Sequence, residues 1–306
     1  MNGYWSLVLG AACAAAGGEL FVRGAVGLAR WARVAPGIIA ATVVAFATSS
    51  PELSVSVNAA LAGEPQIALG DALGSNVVNV ALILGLTLSI SGIRNPRHRL
   101  RRDFPVALLV PVATGMLMLD GTLSRWDGAL LLVLFIAWLV ATVLEARRDR
   151  SAVGAMLGAR HRWAIVMSCL AGLALLVLAG RLIVAGARSI ALSFGIEEFI
   201  VGATVVAVGT SVPELATVLV AKLRGHDEIS LGAILGSNIF NGLLIVAVAA
   251  VIHPIRVDWR EVALALAFGL VVLVAVYPGR SAAIERRRGF LLLALYGLYV
   301  AAMLRG

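Results

Sequence analysis

Apolar residues fill long stretches of this chain, most of them about 20 residues, and the charged residues collect in short loops between them. A helix needs about 20 apolar residues to cross a hydrocarbon layer of about 30 Å. The pattern predicts ten spans, near 4–29, 36–61, 67–92, 104–121, 127–146, 163–188, 197–222, 229–252, 259–277 and 288–304. The expected fold class is an all-α integral membrane protein with ten transmembrane helices, and one membrane domain accounts for residues 1–306.

The few polar residues inside these spans carry a repeat. Shifting the chain by 162 residues lays Ala41–Ala45 on Ala203–Ala207 and Thr48-Ser49-Ser50-Pro51-Glu52-Leu53 on Thr210-Ser211-Val212-Pro213-Glu214-Leu215. The same shift lays Leu73-Gly74-Ser75-Asn76 on Leu235-Gly236-Ser237-Asn238, and Asn79 on Asn241. Half of the pairs from 37/199 to 84/246 are identical, and shared apolarity alone would not preserve the polar ones. Equivalent points are five spans apart. An odd number of crossings turns one copy over, so residues 1–146 and 163–306 read as two inverted-topology five-helix repeats joined by a cytoplasmic linker at 147–162. Repeats of this kind typify secondary transporters, whose sites form near the midplane where the copies meet.

Composition agrees with a bilayer: 60% hydrophobic residues, 14% charged residues and a mean hydropathy of +0.97 exceed what a soluble domain could bury. The net charge of +8 raises the question of nucleic acid, and its distribution answers it. With both termini outside, the inner loops hold Arg30 and Arg33, five arginines in 94–102, five in 147–162, Lys222 and Arg224, then Arg280, Arg286, Arg287 and Arg288. The outer side holds only Arg125, Arg188, Arg256, Arg260 and Arg305, so the excess marks topology rather than a nucleic-acid partner. The 94–102 run could also touch anionic lipid. The opening MNGYWSLVLG lacks a basic n-region, so the first span is expected to stay. Cys13 and Cys169 fall within spans at non-equivalent positions and read as packing residues. The expected location is the inner membrane of a prokaryote.

The chemistry lies in the repeated motifs. Glu52 and Glu214 sit mid-span, where an uncompensated carboxylate costs at least ~2.5 kcal/mol. Each follows a proline, which removes a backbone donor and disfavours helix before it, freeing carbonyls in the preceding turn. These include Ala45 and Thr48 in one copy and Ala207 and Thr210 in the other. With the Ser49 and Ser211 hydroxyls and the two carboxylates they form an all-oxygen set, suited to a hard cation such as Ca²⁺, which takes about six to eight ligands. Ser75 and Asn79, like Ser237 and Asn241, are four apart and share a helical face. Gly70, Gly74, Gly232 and Gly236 would admit a close neighbour, the ordinary packing role of such residues.

ATVVAFATSSPEL with GDALGSNVVN, and GATVVAVGTSVPEL with GAILGSNIFN, resemble the two alpha-repeats of the calcium/cation antiporter superfamily, particularly prokaryotic sodium/calcium exchangers. The resemblance covers spans 1–3 and 6–8 and implies a ten-helix fold working by alternating access. It implies that Glu52, Glu214 and the carbonyls of Thr48 and Thr210 bind Ca²⁺. It also implies that Ser49, Ser75, Asn79, Ser211, Ser237, Asn241 and the carbonyls of Ala45 and Ala207 help bind Na⁺. Two positions depart from the family pattern: Ala47 replaces a usual glycine, and Asn stands at both 79 and 241, where Asp is common. Without a third negative charge the coupling ion stays open between Na⁺ and H⁺, so a Ca²⁺/H⁺ antiporter is the alternative.

Other readings are weaker. An intramembrane enzyme would need a nucleophile with a base or a chelated metal, and the spans hold neither a His nor an aspartate pair. A cation channel would suit the oxygens, but not the inverted repeat or two fixed charges that make an empty site costly to carry across. No cofactor and no obligate protein partner is indicated; the bilayer and the transported ions are the expected partners. Glu19 and Arg23 are spaced for an i,i+4 ion pair, and Arg181 occupies the position equivalent to Glu19, from which its stem could reach it. Asp71 is either a helix-start cap or part of an outward cation funnel. The proposed orientation has a direct check: single cysteines placed in 94–102 and 147–150 should be shielded from an impermeant thiol reagent in intact cells, and labelling of both from outside would reverse it.

Overall fold

The computed structural model describes residues 3–63, 65–93, 102–148, 159–193, 207–257, 259–277 and 283–303. The start of the seventh predicted span (197–206), most of the 147–162 linker and nearly all of the arginine-rich 94–102 run lie outside the described residues. Helix α1 is Gly3–Ala32, α2 is Pro36–Thr48, α3 is Ser50–Leu61 and α4 is Pro65–Ile90. Then come α5 (Asp103–Leu117), α6 (Arg125–Arg148), α7 (Ala159–Ser193), α8 (Ala207–Thr210) and α9 (Val212–Leu223). The last are α10 (Asp227–Ile252), α11 (Trp259–Val276) and α12 (Arg286–Met303). Two-residue strands, β1 (Thr122–Leu123) and β2 (Ile255–Arg256), form a short antiparallel ribbon, a small addition to the all-helical expectation.

Among the described residues five helices, α1, α4, α6, α7 and α10, are long and apolar enough to cross a membrane, and the α2–α3 pair would count as a sixth. Their burial separates two kinds. The most apolar windows of α4 and α10 are 78% and 83% buried within the protein, whereas those of α6 and α7 are 28% and 22% buried. The exposed side chains of α5, α6 and α7 include Leu109, Met116, Val133, Ile136, Met167 and Leu170, an apolar surface that water would not tolerate and lipid does. The two helices that carry the Ser-Asn motifs, α4 and α10, are thus interior ones.

The described residues form two compact units. The first comprises Met1–Thr48 with Leu144–Ala233, the second Ser49–Val143 with Ile234–Gly306, so each draws elements from both halves of the chain. In the first unit α1 packs along α7, and α9 packs on both. The seam is built on small residues. A Cβ added at Gly172 would lie 2.5 Å from the Phe21 backbone nitrogen, so the two backbones approach as only glycine allows. Cys169 fills this seam opposite Gly24, in keeping with a packing role.

In the second unit α3 packs on α4, α4 on α10 and α12, and α11 on α4, α5 and α12. Phe135 and Trp138 of α6 meet Phe240 of α10 edge to face, at ring separations of 4.9 and 5.9 Å. Trp138 Nε1 also donates to Asp103 Oδ1 at 3.1 Å, and Arg102 forms an ion pair with the same carboxylate, compensating a fully buried charge. Of the glycines expected to admit a close neighbour, Gly232 does, its Cβ position falling 2.8 Å from the Gly37 carbonyl oxygen. Gly70 and Gly74 do not: Gly70 faces open space and Gly74 meets only the Tyr299 hydroxyl, at 3.8 Å.

Replacing Gly172 by Ala should therefore lower the thermal unfolding midpoint of the detergent-solubilised protein, at a cost of about 1–3 kcal/mol for overpacking against backbone. Gly70→Ala should leave that midpoint nearly unchanged, and equal losses at the two sites would refute the close-packing account.

Candidate functional site

Both repeat motifs break the helix at the same residue. Ser49 and Ser211 share one backbone conformation, φ −83° and ψ 8°, and α3 and α9 begin immediately after them. The prolines at 51 and 213 lie at the start of these helices, where a missing N–H costs nothing because the first-turn donors have no intrahelical partner. The helices then continue normally, with Leu53 N donating to Ser49 O at 3.1 Å and Leu215 N to Ser211 O at 3.0 Å. This placement puts Glu52 and Glu214 in the first turn of their helices. Both are 1% exposed. The positive end of the helix dipole favours a carboxylate there by about 0.3–1 kcal/mol, up to about 2 when partly buried.

In the first unit the last turn of α2, Ala45–Thr48, packs on α9. The buried Thr48 hydroxyl donates back to the Val44 carbonyl at 3.1 Å and to the Ala45 carbonyl at 3.3 Å. Ser211 and Glu214 are buried and Thr210 is half-buried. Ala207 opens α8, and residues 194–206 before it lie outside the described residues. Neither Ser49 nor Ser211, both at helix N-caps, caps its helix with its hydroxyl.

The second unit holds Ser49, Glu52, Ser75, Asn79, Ser237 and Asn241, all buried, on contacting elements: α3 touches both α4 and the middle of α10. Those middles are not α-helical. Val78–Leu84 of α4 and Phe240–Ile245 of α10 are π-helical, at equivalent positions of the repeat, and each contains one of the two asparagines. A third π-helical stretch, Ala40–Val44, precedes the break in α2. Such turns concentrate at functional sites because the widened coil redirects side chains. Nothing in the sequence signals them.

Asn76 and Asn238 also escape a reading by ligand type. Each donates its side-chain amide to the other's backbone carbonyl, Asn76 Nδ2 to Asn238 O at 3.3 Å and Asn238 Nδ2 to Asn76 O at 3.2 Å. This reciprocal clamp ties α4 to α10 one residue after Ser75 and Ser237. The invariance of both asparagines between the copies was the available signal. The side-chain oxygens of Ser75, Asn76, Asn79, Asn238 and Asn241 are buried with no hydrogen-bond partner among the described residues, a concentration of unpartnered polar oxygens.

Of the remaining charges in the spans, Glu19 resolves as part of a structural ion-pair cluster. Glu19 binds Arg23, as its spacing predicts, and also Arg224, whose Nη2 lies 2.6 Å from Glu19 Oε1. Arg181 is exposed, and Arg224 takes the cross-helix role suggested for it. Asp71 is not a helix cap, because α4 begins six residues earlier at Pro65.

A multi-pass membrane protein with two helix breaks, each presenting a buried carboxylate, is the class these features define. The chain matches the family model described as sodium/calcium exchanger protein over residues 2–144 and 164–305. It is 35% identical over 290 residues to the putative antiporter CaxA of Alkalimonas amylolytica, covering 91% of each chain. It is 27% identical over 349 residues to the sodium/calcium exchanger MaX1 of Methanosarcina acetivorans, covering 97% of each. Among solved structures it matches the sodium-calcium exchanger NCX_Mj soaked with 2.5 mM Na⁺ and 10 mM Sr²⁺, with a TM-score of 0.85 and 32% identity over 98% of both chains. This chain belongs to the sodium/calcium exchanger family.

Removing one arm of the asparagine clamp leaves a buried carbonyl without its donor, so Asn76→Ala should destabilise the protein by about 1–3 kcal/mol in thermal unfolding. Unchanged stability would show that the clamp bears no load.

Proposed function

We propose that this protein is a secondary active antiporter that exchanges Ca²⁺ for Na⁺ by alternating access, with Glu52 and Glu214 as its charged ligands. The carrying observation is the repeated break at Ser49 and Ser211, identical in backbone angles, which opens each of two helices on a buried glutamate in its first turn. The proposed fold places ten transmembrane helices in two inverted five-helix repeats, 1–146 and 163–306, in a prokaryotic inner membrane with both termini outside.

The proposed ligand set is made only of oxygen: the two carboxylates, the carbonyls of Ala45, Thr48, Ala207 and Thr210, the hydroxyls of Ser49, Ser75, Ser211 and Ser237, and the amides of Asn79 and Asn241. Carboxylates and carbonyls suit Ca²⁺. The neutral hydroxyl and carbonyl oxygens suit a desolvated alkali ion, and a proton carrier would not need them. One Ca²⁺ or two Na⁺ neutralise two carboxylates, and the asparagines add no third negative charge. A third Na⁺ would leave a positive charge uncompensated at low dielectric. Exchange is therefore proposed to use fewer than three Na⁺ per Ca²⁺ and to carry little current.

In proteoliposomes, an outwardly directed Na⁺ gradient should drive Ca²⁺ uptake, and Glu52→Gln and Glu214→Gln should each abolish it while leaving an inserted, folded protein. Near-normal exchange by either mutant would sink the site. Uptake driven by a proton gradient and indifferent to Na⁺ would establish Ca²⁺/H⁺ exchange instead.

A further inference from the structure

Buried hydroxyls in an apolar helix have an easy partner, the carbonyl one turn earlier, and this chain uses it repeatedly. Thr42, Thr48, Thr87, Ser89, Thr114 and Thr142 all donate to the carbonyl four residues before, at 2.6–3.1 Å. Three buried helical hydroxyls leave it unused and have no hydrogen-bond partner among the described residues: Ser56, Ser75 and Thr217. Ser75 already belongs to the proposed ligand set. Ser56 and Thr217 are both fully buried, at 0% exposure.

Their positions are not arbitrary. Ser56 follows Glu52 by four residues within α3, and Thr217 follows Glu214 by three within α9, so each lies one turn beyond a glutamate on the same helical face. Side chains so spaced have Cβ atoms about 5–6 Å apart. A carboxylate and a hydroxyl reaching toward each other from that separation can share one cation, whose Ca–O distances are about 2.3–2.6 Å, or a water bound to it. The hydroxyls escape the repeat alignment, since Ser56 falls opposite Val218 and Thr217 opposite Val55. Each copy nevertheless supplies one beside its glutamate.

We propose that the Ser56 and Thr217 hydroxyls are further ligands for the transported cation, directly or through one retained water, each adding a neutral oxygen beside a carboxylate. The proposal rests on the reading of Glu52 and Glu214 as the charged ligands and deepens it. A hydroxyl kept away from its helix carbonyl is unfavourable in the empty protein and favourable once a cation arrives, so it contributes to affinity rather than to the fold.

The test uses full-length purified protein without Na⁺, following the thermal unfolding midpoint as Ca²⁺ is added, because a bound ion stabilises the folded state in proportion to its affinity. Ser56→Ala and Thr217→Val should each weaken the Ca²⁺ dependence about five- to tenfold, the size of one lost oxygen contact. Their metal-free midpoints should equal or exceed that of the parent protein. Ser56→Thr and Thr217→Ser keep the oxygen and should retain the parent Ca²⁺ dependence; should Thr217→Val not fold, Thr217→Ala reads the same quantity. Parent-like Ca²⁺ dependence in Ser56→Ala and Thr217→Val, or a loss confined to the metal-free midpoint, overturns the assignment. Glu52→Gln measured alongside separates the two levels. If it loses Ca²⁺ stabilisation while the hydroxyl variants keep it, only the hydroxyl assignment falls; if it too keeps it, the ion site itself falls.

Discussion

Two carboxylates buried in a chain that is 60% hydrophobic are the constraint to which the other features answer. A charge at low dielectric has to be compensated, and the helix starts supply part of that compensation. Starting α3 and α9 just before Glu52 and Glu214 turns the positive helix ends toward them, a contribution of about 0.3–2 kcal/mol each, small against the cost of desolvating a full charge. The side chains gathered around Glu52 are rich in oxygen. Ser75, Asn79 and Asn241 leave buried oxygens with no hydrogen-bond partner among the described residues. Buried oxygens of this kind are what the proposed cation site would use.

Irregular backbone is the means. In lipid an unpaired peptide group is prohibitive, so helix breaks and π-helical turns are tolerated only where protein surrounds them. The break residues Ser49 and Ser211 are themselves buried, and the π-helical stretches of α4 and α10 occur in helices whose apolar windows are 78% and 83% buried. Glycine contacts and the asparagine clamp hold this irregular interior in place, while the apolar faces of α6 and α7 are left for lipid.

Much of this was legible in the sequence because charge and proline are rare in spans and conspicuous where they occur. The repeat, the breaks before Glu52 and Glu214, the Glu19–Arg23 pair and the packing role of Cys169 all follow from spacing. The prolines signal freed carbonyls, whereas the placement of each glutamate in the first turn of a new helix depends on where that helix starts. The π-helical stretches had no signal at all, because widening a coil by one residue per turn leaves composition and hydropathy unchanged. Partners distant in sequence were beyond spacing arguments too: Arg224 rather than Arg181 reaches Glu19, and Asn76 meets Asn238 through backbone carbonyls. Asp71 lies inside α4 rather than at its start because that helix begins at Pro65, ahead of its first strongly apolar residue, Ile67.

The most direct measurement is equilibrium binding of radioactive Ca²⁺ to the purified protein as Na⁺ is raised at constant pH and ionic strength. If one set of oxygens holds either one Ca²⁺ or two Na⁺, Na⁺ should displace Ca²⁺ completely and competitively, with a cooperativity above one and below three, and Glu52→Gln and Glu214→Gln should bind no Ca²⁺. Ca²⁺ that stays bound at saturating Na⁺, or that binds equally well without either glutamate, would contradict a shared site.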